Sequence, residues 1–488
     1  MAQTWDEQGA VTAAPKQLFI GGSWVDAREG ATFDVLDPST GEVLCEVSDA
    51  SPEDGRAALD AAAAAQAEFA AVPPRQRSDM LMNAFRLLHE RIDDLALLMT
   101  LEMGKPLAES RGEIAYAAEF FRHFAEEAVR IDGGYQVAPA GGARFLVAKQ
   151  PVGPCLLITP WNFPMAMGTR KIGPAIAAGC TSVIKPAQQT PLSMLALAGI
   201  LHEAGVPDGV VNVLPTSHAG EVMEPLIRSG VARKLSFTGS TNVGRRLLEQ
   251  CADQVLRTSM ELGGNAAFIV FEDADLDDAV EGAVAAKMRN SGEACTAANR
   301  LYVHEEVVDE FGARLAKAMA SLPVGRGVDD GVRVGPMIDE AAQAKVQELV
   351  EDAVDRGAHV LTGGERPSTA GYFYPPTVLT RVPEDARMRH EEIFGPVAPI
   401  STFRSEEEVV RAANDTEYGL VDYVYTNDLR RALRVAEALE AGMVGLNQGV
   451  VSNPAAPFGG VKASGLGREG GPTGIDEFLE TKYIGIAM

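Results

Sequence analysis

Between residues 154 and 264 the chain alternates short apolar runs with longer segments in which apolar residues return every three or four positions. The short runs predict strands, and the periodic segments predict amphipathic helices. The predicted strands read CLLITP, TSVIKP, GVVNVLP, KLSFTG and TSMELGG. The predicted helices cover 164–179, 191–205, 217–229 and 241–252. Near-continuous apolar strands separated by helices are typical of a parallel sheet covered on both faces, so this region predicts an α/β unit.

The flanking regions show other patterns. Residues 17–50 alternate short apolar stretches with Gly and Pro turns, which predicts a β-meander. From Pro52 to about Arg130 the pattern is helical, and residues 265–460 repeat the strand–helix alternation as a second α/β unit. Residues 133–153 read as two strands joined by a Gly-rich turn. A hairpin without a partner is marginally stable in water, so we expect this one to pack on another element.

Composition places the chain among ordinary globular proteins. Its 488 residues are too many for one hydrophobic core and predict two or three structural units. The hydrophobic fraction of 46% and the charged fraction of 23% are typical of a soluble protein. A net charge of −25 argues against nucleic acid and anionic membranes as partners, because both require clustered Lys and Arg.

The cysteines and the N-terminus predict a cytoplasmic protein. The N-terminal residues lack the basic and apolar regions of a secretory signal, and no run of about 18 apolar residues predicts a membrane span. The cysteines are odd in number, scattered and without metal-ligand spacing, which indicates a reducing compartment and no disulfide framework. They are Cys45, Cys155, Cys180, Cys251 and Cys295.

Three short motifs carry groups that suit thiol-based acyl transfer. Cys295 ends a run of small residues in SGEAC, where a substrate can reach the thiol. Glu261 precedes a glycine pair in ELGGN, and Asn162 follows an apolar run in PWNFP. A thiol, a carboxylate and an amide supply a nucleophile, a base and an oxyanion donor. Taken alone, a cysteine is more often a small buried hydrophobe and a glutamate more often faces solvent.

The carboxyl ends of the predicted parallel strands are where such sheets bind ligands. Asn162, Lys185, Gly239 and Glu261 all fall there. The segment FTGSTNVG, residues 237–244, follows a strand and opens a helix, so its backbone N–H groups suit a phosphate. It lacks the GxGxxG spacing of the usual dinucleotide fingerprint, and by pattern alone it is equally a plain strand–turn–helix connection.

The motifs PWNFP, FTGSTNVG, MELGGN, GEACTAANR and EIFGP occur in the order and spacing of one family. Over almost its whole length the chain resembles the NAD(P)-dependent aldehyde dehydrogenases. The resemblance implies an α/β fold with a parallel-sheet dinucleotide-binding domain, an α/β catalytic domain and a β-hairpin oligomerisation arm. The implied boundaries are 1–131 and 152–263 for the cofactor-binding domain, 264–462 for the catalytic domain, and 132–151 with 463–488 for the arm and C-terminal strand.

The resemblance also implies a catalytic cycle. Cys295 attacks the aldehyde carbon and forms a thiohemiacetal, whose oxyanion is stabilised by Asn162 Nδ2 and the backbone N–H of Cys295. Hydride passes to the nicotinamide, which leaves a thioester. Glu261 then activates water to release the acid.

NADP or NAD is the cofactor that the resemblance implies. Lys185 matches the lysine that reaches the ribose hydroxyls or a 2′-phosphate, and Glu392 matches the acid that holds the nicotinamide ribose, with Phe394 beside it. NAD-preferring relatives often carry Glu three residues after the lysine, where this chain has Gln188, so we predict that NADP is accepted. The other implied cofactor contacts are Pro160, Trp161, Ala187, Gly239, Ser240, Gly244 and Leu262.

Within the family, the chain most resembles succinate-semialdehyde dehydrogenases, which grip the distal carboxylate with two arginines and a serine. Arg170, Arg289 and Ser452 occupy the matching positions. Arg170 lies outside the apolar stripe of its predicted helix, so it need not be a solvated charge. The alternative for each residue alone is a surface arginine or a loop serine. Together they predict a semialdehyde substrate with a carboxylate at its far end.

Other readings stay open at this point. Glutarate semialdehyde, which has one more methylene, fits the same two arginines and serine. One methylene changes the free energy that separates two substrates by only about 1–3 kcal/mol. A broad-specificity aldehyde dehydrogenase and a non-catalytic structural protein are further alternatives. A CoA-acylating member needs no deacylating base, so Glu261 argues against that class.

Two positions near the nucleophile depart from common family patterns. Glu293 stands where many members carry Gln, and we expect its side chain to point away from the thiol. Ala297 stands where some members carry a second cysteine, so no local disulfide with Cys295 is expected. The arm hairpin, by resemblance, implies a homodimer or homotetramer.

Overall fold

The structure is a computed structural model, and it describes residues 5–488. The helices are α1 (Glu7–Ala13), α2 (Pro52–Ala71), α3 (Pro74–Glu90), α4 (Ile92–Met103), α5 (Leu107–Ala128), α6 (Ala166–Ala178), α7 (Pro191–Glu203), α8 (Ala219–Arg228), α9 (Thr241–Ala252), α10 (Leu276–Met288), α11 (Val308–Ala320), α12 (Glu340–Asp355), α13 (Glu406–Asn414) and α14 (Leu429–Ala438). Short 3-10 helices occur at Arg28–Gly30, Arg289–Gly292, Arg387–Arg389, Lys462–Ser464 and Asp476–Phe478.

The strands are β1 (Leu18–Ile20), β2 (Ser23–Val25), β3 (Thr32–Leu36), β4 (Val43–Ser48), β5 (Gly134–Val137), β6 (Ala143–Pro151), β7 (Cys155–Ile158), β8 (Ser182–Lys185), β9 (Val211–Val213), β10 (Lys234–Thr238), β11 (Arg257–Glu261), β12 (Ala266–Val270), β13 (Ala298–His304), β14 (His359–Thr362), β15 (Thr377–Thr380), β16 (Val397–Phe403), β17 (Val421–Tyr425), β18 (Met443–Leu446), β19 (Gly465–Leu466) and β20 (Leu479–Ala487).

The first large sheet has eight strands in the order β19-β11-β10-β7-β8-β9-β1-β2. Its five central strands, β7 to β11, run parallel to one another and are the five that the apolar runs predict. Helices α6 to α9 begin and end within two residues of the predicted segments. The prediction of a parallel α/β unit is confirmed for this region.

The meander prediction is wrong in detail, whereas the interpretation that Arg170 need not be a solvated charge is confirmed. Residues 17–50 do not form one meander, because β1 and β2 join the first sheet beside β9 while β3 and β4 pair separately. Apolar alternation locates strands but carries no information on which strands pair. Helix α6 has no apolar stripe with a polar opposite face, since all 13 of its residues are buried. Arg170 therefore lies in the interior and is only 2% exposed.

The second large sheet has seven strands in the order β14-β15-β16-β13-β12-β17-β18. All neighbours are parallel except the β14–β15 pair at one edge. This is the second α/β unit that the sequence predicts. Apolar side chains on both faces of this sheet form two separate clusters, one around Phe268 and Leu301 and the other around Ile269 and Phe271.

The hairpin β5–β6 forms a small sheet with the C-terminal strand β20. The pairing of β20 with β6 runs from Leu479 opposite Pro151 to Ala487 opposite Ala143. The expected completion of the hairpin by a C-terminal strand is confirmed, and that strand begins three residues before the predicted Lys482. Within residues 5–488, no helix has both the length and the apolar character that crossing a membrane requires.

Candidate active site

The carboxyl ends of the central strands of the first sheet meet at one edge. Strand β8 ends at Lys185, which pairs with Ile158 at the end of β7. Strand β11 ends at Glu261, which pairs with Thr238 at the end of β10. Because these strands are parallel and in register, the side chains that follow them converge, as the sequence predicts.

A cavity of about 290 Å³ opens at this edge. Its wall includes all three predicted catalytic residues and most of the predicted cofactor contacts. Lys185, Ala187, Gln188 and Gly244 lie outside the wall, as do Arg170, Arg289 and Ser452. The lining residues are Pro160, Trp161, Asn162, Met167, Thr238, Gly239, Ser240, Glu261, Leu262, Gly263, Cys295, Ala342, Lys345, Glu392, Ile393 and Phe394.

The loop before Cys295 has an unusual backbone. Asn290 and Ser291 have φ of 54° and 53°, a left-handed conformation that costs free energy in residues other than glycine. Gly292 has φ of 80°, and a Cβ atom there would lie 2.2 Å from the carbonyl oxygen of Gly395, so only glycine fits. The Asn290 N–H donates to Glu109 Oε2 at 2.7 Å. This contact and the glycine hold the loop in the conformation that presents the thiol.

The Cys295 thiol is free and half-buried. Burial raises its pKa to about 12, and Arg170 and Arg289 oppose that rise while Glu392 and Glu261 add to it. At neutral pH the resting thiol is therefore protonated. Formation of the thiolate needs a proton acceptor in the site.

The Asn162 side chain is oriented by two hydrogen bonds. Its Nδ2 donates to the carbonyl oxygen of Glu293 at 3.0 Å, and its Oδ1 accepts from the N–H of Phe163 at 3.1 Å. An amide nitrogen carries two protons, so one remains for a group in the cavity. The backbone carbonyl oxygen of Asn162 accepts a hydrogen bond from Lys105 Nζ at 2.7 Å. These hydrogen bonds hold the Asn162 side-chain amide in a fixed orientation, which suits a donor to an oxyanion.

Glu261 is a buried carboxyl group in contact with the cavity. Neither of its side-chain oxygens has a hydrogen-bond partner among residues 5–488. Burial, followed by the charge of Glu469, raises the pKa of Glu261 well above its ordinary value, and Arg170, Lys171 and Arg468 only partly offset this. Burial therefore favours the protonated form of this carboxyl group, which becomes a base when it loses its proton.

A buried ion pair beneath Glu261 was not expected from the sequence. Lys171 Nζ donates to Glu469 and, at 3.0 Å, to Ser236 Oγ. Arg170 Nη1 lies 3.6 Å from Glu469 Oε2. Lys171 and Glu469 are 298 residues apart, and no local pattern links them.

The predicted cofactor contacts have the features that a dinucleotide needs. Burial lowers the pKa of Lys185 to about 8, and no carboxylate in the described residues offsets this. An ammonium in such a position gains from an anionic ligand. Helix α9 begins after Ser240, whose side chain makes no capping bond, so its first N–H groups remain open to a phosphate.

Two glycines let the backbone approach closely at this turn. A Cβ atom at Gly244 would lie 2.4 Å from Leu262 Cδ2, and one at Gly239 would lie 2.5 Å from the Phe237 ring. On the other wall, the ring of Phe394 meets that of Trp161 edge-on, with centroids 5.5 Å apart.

Glu392 and Gln188 are two further predicted cofactor contacts. Burial raises the pKa of Glu392 to about 7, and its Oε1 accepts from the N–H of Gly264 at 3.2 Å. Gln188 is exposed, three residues past Lys185.

The three residues predicted to bind the distal carboxylate come together around one further side chain, Tyr116. Arg289 Nη1 donates to Ser452 Oγ at 3.3 Å. Arg170 Nη2 donates to Tyr116 Oη at 2.7 Å, and Arg289 Cζ lies 5.8 Å from the centre of the Tyr116 ring. The sequence analysis did not single out Tyr116.

The side chain of Glu293 points away from the thiol. Its Oε1 accepts from the N–H of Ile338 at 3.0 Å, and the residue is fully buried. Burial raises the pKa of Glu293 well above its ordinary value. A neutral carboxylic acid at this position resembles the amide of Gln in shape and in hydrogen-bonding capacity.

Comparisons with known proteins give one consistent result. A model described as the aldehyde dehydrogenase family matches residues 24–484. A succinate-semialdehyde dehydrogenase of Paenarthrobacter nicotinovorans is 57% identical over 91% of this chain and 99% of the relative. A glutarate-semialdehyde dehydrogenase of Pseudomonas putida is 53% identical over 97% of this chain and 98% of the relative. The crystal structure of an E. coli NADP-dependent enzyme superposes with a TM-score of 0.97 at 51% identity, covering 99% of this chain and 100% of the other.

Proposed function

The chain belongs to the aldehyde dehydrogenase family, and from that premise we propose that it oxidises succinate semialdehyde to succinate with NADP or NAD. The observation that carries the substrate assignment is the cluster of Arg170, Arg289 and Ser452 around Tyr116. Both arginines lie close enough to Cys295 to lower its pKa. A substrate whose aldehyde reaches the thiol therefore has its far end near two guanidinium groups.

Cys295 is the nucleophile in this proposal. Once the thiol has given its proton to a base in the site, its sulfur forms a bond to the aldehyde carbon, the carbonyl π bond breaks, and the oxygen becomes an oxyanion. The free Nδ2 proton of Asn162 and the backbone N–H of Cys295 donate to that oxyanion. Preoriented donors of this kind lower the barrier because they need no reorganisation during the reaction.

The cofactor-binding residues fit a dinucleotide, since the open helix N-terminus, the buried Lys185 and the close-packed glycines each suit one part of it. The chemistry that NADP or NAD supplies when bound is acceptance of a hydride from the thiohemiacetal carbon. Loss of that hydride leaves a thioester on Cys295. Glu392 and Phe394 would hold the nicotinamide end, and Lys185 the adenosine ribose.

Glu261 completes the cycle as the base for hydrolysis. Once deprotonated, its carboxylate takes a proton from water while the water oxygen attacks the thioester carbon. The carbon–sulfur bond then breaks, which releases the carboxylic acid and leaves Cys295 as a thiolate, and the proton that Glu261 took from water returns to the sulfur to restore the thiol. The buried cations Arg170 and Lys171 favour the ionised form of Glu261 and so assist this step.

We also propose the domain assignment and the assembly. Residues 5–131 and 152–263 form the cofactor-binding domain, 264–462 form the catalytic domain, and 132–151 with 463–488 form the arm and C-terminal strand. The short strand β19 lies within that last segment but joins the first sheet beside β11. The apolar side chains that β20 exposes support the arm as the contact between subunits of a homo-oligomer.

The five cysteines are all free thiols, which supports a reducing, cytoplasmic location.

Steady-state kinetics on three aldehydes test the substrate assignment. Succinate semialdehyde should show a kcat/KM about 100-fold or more above that of butanal, because each charged donor to the carboxylate contributes about 1.5–3 kcal/mol. Equal values for the two would overturn the proposal. Glutarate semialdehyde is the second candidate, given the 53% identity to a relative of that name. A higher kcat/KM for glutarate semialdehyde would mean that the preferred substrate is longer by one methylene, and the proposed mechanism would be unchanged.

A further inference from the structure

We propose that Asn290 is a positioning residue for the oxyanion site, because its side-chain amide joins the turn that carries Asn162 to the loop that carries Cys295. The choice of Asn162 Nδ2 and the Cys295 N–H as the two oxyanion donors belongs to the proposed function, on which this inference rests. Asn290 itself contacts neither the substrate nor the cofactor. It keeps the two donors in a fixed relation to each other.

The two donors come from different parts of the fold. Asn162 lies in the turn that follows β7 of the first sheet, and Cys295 follows α10 and the 3-10 helix Arg289–Gly292. Asn290 belongs to that 3-10 helix and is 128 residues from Asn162. Stabilisation of an oxyanion requires both donors to point at one oxygen atom. The turn and the loop must therefore be held together for the site to keep its geometry.

The amide of Asn290 supplies this connection. Its Nδ2 donates to the backbone carbonyl oxygen of Asn162 at 3.1 Å and to that of Glu293 at 3.0 Å. Asn162 Nδ2 donates to the same Glu293 oxygen at 3.0 Å. The Glu293 N–H in turn donates to the Asn290 carbonyl oxygen at 2.9 Å. Because Glu293 is two residues before Cys295, these bonds tie the segment that leads to the Cys295 N–H to Asn162.

The residue type at position 290 suits this role. Both partners of Asn290 Nδ2 are carbonyl oxygens, which only accept hydrogen bonds, so the donating end of the amide must face them. The Oδ1 atom at the other end is buried and has no partner among residues 5–488. The backbone is left-handed, with φ of 54°, and Asn adopts that conformation more readily than most residues. Asn290 therefore combines a backbone and a donor that few other residues provide together.

A buried ion pair also supports the turn of Asn162. Lys105 Nζ donates to the Asn162 carbonyl oxygen at 2.7 Å and to Glu113 Oε2 at 2.5 Å. Glu113 Oε1 accepts from two N–H groups at the start of α6, at 2.9 and 3.1 Å. A carbonyl oxygen has two lone pairs, so Lys105 and Asn290 together occupy both. The peptide that follows Asn162 cannot rotate without breaking one of these bonds.

Asn290→Asp tests the inference because it keeps the shape of the side chain and changes its hydrogen-bonding capacity. A neutral carboxyl group has one hydrogen and an ionised one has none, so at least one of the two bonds is lost. Asp also tolerates the left-handed backbone. We expect the burst of reduced cofactor to be about 10- to 100-fold slower, with little change in KM for the aldehyde, because slight misplacement of catalytic groups has effects of this size.

Alkylation of the Cys295 thiol by iodoacetamide provides a reference rate. This reaction displaces iodide and forms no oxyanion, so its rate reports only the ionisation and the accessibility of the thiol. Mass spectrometry of the Cys295 peptide separates it from alkylation of the other cysteines. The ratio of the burst rate to the alkylation rate at one pH should fall about 10- to 100-fold in Asn290→Asp. An unchanged ratio would overturn the inference.

Asn212→Asp is the matched control. Asn212 is 0% exposed in β9, and its Nδ2 also donates to two backbone carbonyl oxygens, those of Ser182 at 3.1 Å and Gly209 at 2.8 Å. Ser182 begins β8, at the end of the strand away from the cavity. This variant should lose thermal stability and keep the wild-type ratio. A similar fall in the ratio for both variants would mean that Asn290 has only a structural role.

An Asn162→Ala background shows whether Asn290 acts through Asn162. In that case Asn290→Asp should lower the ratio much less in this background than in the wild type. An equal fall in both backgrounds would contradict the proposal. If Asn290→Asp does not fold, Asn290→Gly removes the same amide and keeps the left-handed backbone, and the same outcomes decide.

Failure of the proposed function would be a different result. It would be visible in the wild type as no preference for the carboxylated aldehyde over butanal. The burst can be measured with any aldehyde that the wild type oxidises, so the role of Asn290 is tested in either case.

Discussion

The nucleophile and two glutamates near it are all affected by burial in the same direction. Cys295, Glu261 and Glu293 are all enclosed by protein, and burial raises the pKa of each. Burial therefore favours the protonated form of each. Cys295 and Glu261 must lose their protons to react, whereas Glu293 only accepts a hydrogen bond from the N–H of Ile338.

Replacing Glu261 with Gln should separate hydride transfer from hydrolysis. We expect a burst of reduced cofactor of about one equivalent per active site, followed by almost no steady-state turnover, because the thioester waits for activated water. Stopped-flow absorbance at the reduced-nicotinamide band measures both phases. Loss of the burst together with turnover would show that Glu261 also deprotonates the thiol.

Replacing Glu293 with Gln should change how stability depends on pH. The pKa of Glu293 is raised in the folded state, so the folded protein binds this proton more tightly than the unfolded chain. Its contribution to stability is full below the unfolded pKa and is lost as pH rises toward the folded pKa. Each pH unit between the unfolded and the folded pKa lowers the free energy of unfolding by about 1.4 kcal/mol.

Wild type should therefore lose more thermal stability between pH 5 and pH 9 than Glu293→Gln does. Asp339 and Lys105 are the charged groups that face this carboxyl, the first raising its pKa and the second lowering it. Calorimetry across the pH range gives the measurement. Identical pH profiles for the two proteins would mean that Glu293 ionises normally in the fold.

At the scale of single elements, we expect the turn after β8 to decide the choice between NADP and NAD. Lys185 ends this strand and Gln188 is exposed three residues later. A carboxylate at the second position would repel a 2′-phosphate, and the neutral amide does not. The same turn places Gln189 beside it with a partly buried side chain.

Gln188→Glu should lower kcat/KM for NADP by about tenfold or more while leaving NAD little changed, since one like-charge contact near a protein surface is worth about 1.4 kcal/mol or more. Gln189→Glu adds the same charge one residue away and serves as the control. Kinetics with both cofactors decide the matter. A wild type that strongly prefers NAD, unaltered by Gln188→Glu, would refute the prediction.

At the scale of the whole molecule, the arm exposes apolar side chains along its C-terminal strand. Its C-terminal strand exposes Tyr483 at 68%, and Ile484 and Ile486 at 40% each. Alternate residues of a strand face the same side, so the two isoleucines share a face. Apolar surface of this kind is typical of a protein–protein contact.

The double substitution Ile484→Asp with Ile486→Asp should shift the assembly to monomers, because carboxylates cannot be buried unpaired in an apolar contact. Analytical ultracentrifugation measures the change, and circular dichroism confirms that the fold persists. Val255→Asp is the control, since Val255 is 88% exposed in a turn of the first sheet and its replacement should leave the mass unaltered. An unchanged sedimentation coefficient in the double variant would place the contact elsewhere.

The sequence alone was sufficient for the features that depend on neighbouring residues. The apolar runs located β7 to β11, and the converging strand ends brought Lys185, Gly239 and Glu261 to one edge. The motifs around Cys295, Glu261 and Asn162 pointed to the cavity wall where all three lie. Local hydrophobic periodicity and turn residues encode the strands and their ends, whereas the roles of Cys295, Glu261 and Asn162 were inferred from motifs that resemble those of a known family.

Only the tertiary structure decided how distant residues meet. Tyr116 and Arg170 are 54 residues apart on two helices, and Lys171 and Glu469 are 298 apart. The separate pairing of β3 with β4 and the burial of α6 on every side also depend on which elements pack together. Periodicity describes one element at a time, whereas a contact between elements depends on the packing of the whole chain. The contacts among the predicted carboxylate-binding residues are of this second kind.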